Sequence, residues 1–199
     1  MDSNIEEIAR HLPPYLLPKQ REQLFTELRS FPEKANYFLN RNVHPDEVLQ
    51  GDGWGSLHYF EASTGKEQNA KGLILSNSCD VARDNQRTMP VRVLFSPLLR
   101  LDLYIKLVAE LKGPQAAQGV MDAIRAQKIT SIFYLPACDQ LPFESIAVLD
   151  NVVSIPLDMF FSNNPGKFFC LSQLGFYLFV IKLSIHLTRF QEGIARFDA

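Results

Sequence analysis

The sequence predicts an α+β protein: a small β-barrel with N-terminal helices, a helical insertion and a long C-terminal helix. Three observations predict it. Short apolar runs bounded by Gly, Ser, Asn and Pro recur over residues 50–100 and again over 128–158, as short strands joined by turns do. Residues 1–42 and 171–196 instead repeat apolar side chains every three or four positions, the helical period. Short strands joined by tight turns commonly hide their edges by curling on themselves, so a barrel is expected.

The elements follow in order. Ser3 and Glu6 have capping-box spacing and open a helix through about Leu12, ended by Pro13-Pro14. Pro18 suits the first turn of a second helix, in which Leu24, Leu28 and Phe31 form a core-facing stripe before Pro32. ANYFLNRN adds a further turn or two. From Val43 the pattern changes. Gly51, Gly53 and Gly55 are turn-prone and lead into an aromatic strand, and STGKEQ is a polar turn. KGLILSNS is a second strand. VRVLFSPL is a third, with Val91, Val93 and Phe95 alternating against Arg92 and Leu94. Leu101 to Gln127 is helical and broken or kinked at Gly113-Pro114. TSIFYLPA is a fourth strand, and SIAVLDNVVSIPL supplies a fifth and a sixth around Asp150-Asn151. A last helix runs from Leu171 to about Arg196, with Leu174, Leu178, Ile181 and Ile185 on one face. The expected organisation is a helical segment over 1–42, a barrel over 43–160 with its insertion at about 101–127, and a helix packing on the barrel over 161–199.

Composition narrows the function classes. Of 199 residues, 46% are hydrophobic and 21% charged, enough for a packed core. A formal net charge of −2 excludes the global basic excess of many nucleic-acid binders, so such a role would need a local patch. Cys79, Cys138 and Cys170 are odd in number, far apart and without CxxC spacing, which argues against a disulfide scaffold and a zinc ribbon. Free thiols fit a reducing, cytoplasmic setting, and the acidic start MDSNIEEIAR is unlike a secretory signal. Residues 168–187 have the length of a membrane span, but Gln173, Lys182 and His186 interrupt them, so a buried helix is expected. No cofactor and no metal is expected.

One family shares this order of pieces. Gly51-Asp52-Gly53-Trp54, then Gly65-Lys66-Glu67-Gln68, then Lys71 to Asn77, then Phe95-Ser96-Pro97-Leu98 resemble successive motifs of the PemK/MazF ribonuclease toxins of prokaryotic toxin–antitoxin pairs. VLDNVVSIPL is similar to a later strand of the same family. The resemblance covers about residues 50–100 and, more loosely, 128–158. It implies a small SH3-like barrel, often dimeric, with a toxin-like or phage-defence role and an antitoxin-like or other protein partner. In that family cleavage rests on an arginine at an Arg-Pro step and a Ser/Thr after a later proline. Here Lys71-Gly72 and Leu98-Leu99 stand at those places. Lysine lacks the bidentate fork of arginine, and leucine has no hydroxyl. The implied ribonuclease chemistry is therefore altered or lost.

The candidate site follows from the second strand, which ends in Ser76-Asn77-Ser78-Cys79-Asp80. If the protein is an enzyme, Cys79, Asp80 and Lys71 are the catalytic candidates of an endoribonuclease-like site. Asp52, Trp54, Asn77, Arg83 and Arg87 are the binding candidates, with Trp54 as a stacking face and Arg83 as a source of positive charge for RNA or a small ligand. Cys79 could also be a nucleophile, activated by Arg83, Arg87 and Arg92 or coupled to His58. The plainer reading stands beside these: Ser, Asn and Asp form a turn, and cysteine packs well at a barrel mouth. A second function class is a non-enzymatic interaction or regulatory module, using apolar helices for a protein partner or for homo-oligomerisation.

Overall fold

The structure is a computed structural model that describes residues 36–85 and 87–188, together with Thr26. The expected helices before residue 35, and the end of the last helix, lie outside the described residues. The described chain is α+β, with seven strands in one antiparallel sheet and four helices. The strands are β1 Gly53–Glu61, β2 Lys66–Ile74, β3 Arg92–Arg100, β4 Ile132–Leu135, β5 Ser145–Val148, β6 Val153–Pro156 and β7 Gly166–Phe169. The helices are α1 Leu101–Lys112, α2 Pro114–Arg125, α3 Leu157–Ser162 and α4 Gln173–Thr188. The sheet order is β4-β5-β3-β2-β1-β7, with β6 also on β3. Among the described residues β4 and β7 do not pair with each other, so the sheet is open.

The hydrophobic pattern sets the two faces. β1 carries one extra residue between Trp54 and Leu57, and Ser56 sits there at φ 59°. This bulge resets the two-residue alternation, so Trp54 and Leu57, three apart, face the same core. That core also takes Ile74, Val93, Phe95, Ile155 and Phe160, with Val48 and Val81 from the loops. The opposite face of β2 sends Leu73 and Leu75 into a larger core with β4, β5, Phe169 and the α4 residues Phe179 and Leu183. β3 joins the two halves. Phe95 pairs with Ile74 on one edge and Val153 on the other, and from Leu98 the strand continues against β5. Pro97, which has no N–H, forms the last β2–β3 pair, at this handover.

Several expectations are corrected. ANYFLNRN is not helical from Asn36 onward; it is extended, and Phe38 bridges to Leu171. β2 starts at Lys66 rather than Lys71, because its solvated arm extends past the core. α3 and β7 were not expected as separate elements, since FFSN and GKFF carry no period long enough to read. α4 is apolar on nearly all sides. Its buried residues are Leu174, Gly175, Tyr177, Phe179, Lys182 and Leu183, whereas Ile185 is exposed. Gly175 fixes that rotation, because a Cβ there would run into the Tyr37 carbonyl oxygen. No helix among the described residues is long and apolar enough to cross a membrane. The break at Gly113 is as expected, with α1 ending and α2 opening around it at φ 87°.

α2 ends in a Schellman arrangement. Lys128 N–H donates to Ala123 O and Gln127 N–H to Ile124 O. Gln127, not glycine, holds the left-handed position at φ 57°. Its side chain explains why. The amide nitrogen donates to Tyr134 O and Tyr37 Oη, and the amide oxygen accepts from Tyr134 N–H and Lys182 Nζ. Lys182, 7% exposed, also donates to Gln127 O at 2.9 Å, and burial pushes its pKa down to about 8. This hub ties α2, β4 and α4 together.

Candidate functional site

The stretch after β2 is a turn built from its own side chains. Asn77 Oδ1 accepts from Cys79 N–H at 2.9 Å, and Asp80 N–H donates to Asn77 O. Asn85 Nδ2 donates to Cys79 O at 2.7 Å, closing the loop that follows. Ser76 Oγ accepts from Leu94 N–H, and Ser78 Oγ from Gln50 N–H. The small polar residues thus serve as hydrogen-bond partners that carry the chain away from the strand. Asn77, Cys79 and Asp80 are exposed on the outside of that turn.

The three arginines near Cys79 are engaged elsewhere. Arg87 pairs with Asp80 at the surface. Arg92 donates to the Oγ and carbonyl oxygen of Ser154. The Arg83 guanidinium lies 3.7 Å from the centre of the Phe161 ring, a cation–π contact of about 0.5–1 kcal/mol at an exposed site. His58 pairs with Asn69 on the hairpin arm. Asn69 lies five residue steps, about 17 Å, before Ile74, so His58 on β1 stands beside the far part of β2 from Cys79.

Beside the turn lies a depression of about 380 Å³. Asp46, Glu47, Val48 and Leu49 form one wall, Ser78 and Val81 to Asp84 the other, and Phe161 of α3 closes an end. Of the candidate residues only Arg83 lines it. Lys71 belongs to the other side of the sheet. Side chains alternate along β2, so Lys71 shares a face with Leu73, and its Nζ stands 4.8 Å from the Phe168 ring centre. The acidic wall was not singled out from the sequence. In the sequence His44 to Leu49 mark only the change of pattern ahead of the turn-prone Gly51.

Asp52 and Trp54 are inside the protein. Trp54 is 2% exposed, meets Phe160 edge-on at 5.2 Å, and its Nε1 is a buried donor with no partner among the described residues. Its ring faces are therefore in the core, not open to a base. Asp52 is paired with Lys167 at 2.6 Å, with side chains 6% and 1% exposed. The Lys167 ammonium spends its other donors on His44 O at 2.8 Å and Val43 O at 3.2 Å. Asn42 Nδ2 in turn donates to Lys167 O. Burial pushes the Asp52 carboxyl above its usual range, and Lys167 pulls it partly back. Cys170 Sγ is 3.6 Å from Asp52 Oδ2, and burial, then the Asp52 charge, raises its thiol pKa. This cluster fastens the 42–48 segment, and with it the acidic wall, to β1 and β7.

A second Cys-Asp pair, Cys138-Asp139, forms a separate turn. Cys138 and Leu141 exchange backbone hydrogen bonds, and the turn lines another depression of about 430 Å³ with residues 36–40. Among the described residues no group of three or more His, Cys, Asp or Glu could hold a metal ion. No protein-family model matches the chain, and a comparison with curated proteins finds no match.

Proposed function

We propose that this chain is a PemK/MazF-like barrel protein, prokaryotic or phage in setting and toxin-like or defence-related in role. It holds a compact ligand in the depression beside the Ser76–Asp80 turn and has lost the family's ribonuclease chemistry. The depression itself carries the reading. It has the size of a small-molecule site, an apolar floor and a few polar groups. On its walls Asp46, Glu47 and Asp84 outnumber Arg83, so the local charge opposes a phosphate backbone and favours a ligand with a cationic group. The SH3-like barrel is supported by one shared core, lined by β1, β2, β3 and β6. The quoted motif pieces also fall in order on β1, the β1–β2 turn, β2 and β3. Against cleavage stand the position of Lys71 on the far face and the leucines at 98 and 99.

A labelled mixed RNA pool incubated with the full chain and resolved on a gel tests the loss of chemistry. Intact RNA is expected. Sequence-selective cutting that disappears in a Cys79→Ser, Asp80→Asn variant would overturn it and restore a nuclease with relocated residues. A second reading, the interaction module, is favoured by one observation: three leucines of α1 are open to solvent.

A further inference from the structure

α1 has two apolar faces, and among the described residues only one is covered. Leu101 and Val108 are buried, and Tyr104 and Ile105 pack against the larger core. Leu103, Leu107 and Leu111 are 59%, 52% and 75% exposed. Four residues apart, they form a continuous ridge that drifts by about 40° per step around the helix. Isolated exposed leucines need no explanation, but a ridge of three along one helix does. Lys106 and Glu110 both lie on one flank of this ridge. Neither joins an ion pair or a side-chain hydrogen bond among the described residues.

We infer that this ridge is a homodimer seam, occupied by α1 of a second copy running antiparallel. The charge pattern selects that occupant. A two-fold axis near Val108 brings Lys106 of each copy opposite Glu110 of the other, giving two equivalent pairs from one residue of each sign. The same operation sets the leucine ridges against each other and opposes the helix dipoles. A parallel copy would instead carry the Lys106–Glu110 flanks of the two helices to opposite sides of the seam, leaving both charges unpaired, and would align the dipoles. Ridges of four-residue spacing on both helices interlock at a crossing angle of about −50°. The covered patch is small, so the dimer is weak, with a dissociation constant of roughly micromolar or above. The seam lies on the helical insertion, outside the stretch covered by the PemK/MazF resemblance, and it is independent of the proposed ligand.

Sedimentation velocity of the full chain over a wide concentration range tests it. The wild type is expected to dimerise reversibly. Leu107→Asp, at an exposed position and with unchanged circular dichroism, is expected to weaken dimerisation about tenfold or more, the loss typical of charging an interface centre. Lys106→Glu alone is expected to weaken it, and Lys106→Glu with Glu110→Lys to restore it. A chain monomeric at every concentration overturns the inference, including one in which residues 1–35 cross-link onto α1 and so cover the ridge themselves. A dimer indifferent to Leu107→Asp, or one not restored by the charge exchange, overturns it as well.

Discussion

The Asp52–Lys167 pair shows how a residue that looks like site chemistry can be a fastening. The carboxylate sits in a Gly-Asp-Gly-Trp motif, yet its partner lies 115 positions away on β7. Both side chains are withdrawn from water, so removing one strands the other. Asp52→Asn is expected to destabilise the fold by about 3 kcal/mol in urea titrations, because Lys167 would keep its charge without its counter-ion. Adding Lys167→Met should recover much of that loss, since a buried pair is often matched by apolar groups of similar volume. A double variant no more stable than the single one would mean that Lys167 acts mainly through His44 O and Val43 O. At this scale the sequence was legible where the chemistry is local. The Ser76–Asp80 turn is made by neighbours bonding to neighbours, and Ser/Asn/Asp read correctly as turn formers. It was not legible where partners are remote: nothing near Asp52, Trp54 or Lys182 in sequence announces Lys167, Phe160 or Gln127.

Elements were read from period and punctuation, and the failures have physical causes. The helical insertion and its break at Gly113-Pro114 were plain, because a proline opening a helix after a glycine leaves few alternatives. The β2 arm over residues 66–70 was missed because, beyond the core, a hairpin has no apolar face to show. The bulge at Ser56 is invisible to a strict two-residue period, although it puts Trp54 and Leu57 on one face. Its backbone is left-handed at an exposed residue. Ser56→Gly should therefore be neutral or stabilising by up to about 1 kcal/mol, and Ser56→Val destabilising by about 1 kcal/mol or more, both read from thermal melts. If both substitutions shift stability equally, the bulge does not depend on that conformation. α4 was read as one-sided, but it is packed from several directions, and its rotation is set by Gly175 against Tyr37 rather than by its own stripe.

For the whole molecule, one sheet separates two cores. The smaller core lies under the turn and the acidic wall, and the larger lies under α4 and β4. The position of the candidate depression follows from that arrangement. The end of β2 delivers the turn, the Asp52–Lys167 cluster holds the opposite wall, and α3 brings Phe161 beneath Arg83. From the sequence, Asp52 and Trp54 were expected to line the site beside the turn. Gly51–Trp54 is buried, and the preceding segment takes its place. That segment carries two acids, which turns the expected ligand from a polyanion toward a cation. The most direct test is saturation-transfer NMR of the full chain with a mixture of small aromatic amines, alongside an Ala82→Trp variant that fills the depression. The account predicts transfer to at least one amine with the wild type and its loss in the folded variant. No transfer to any amine, or equal transfer in both proteins, would contradict it.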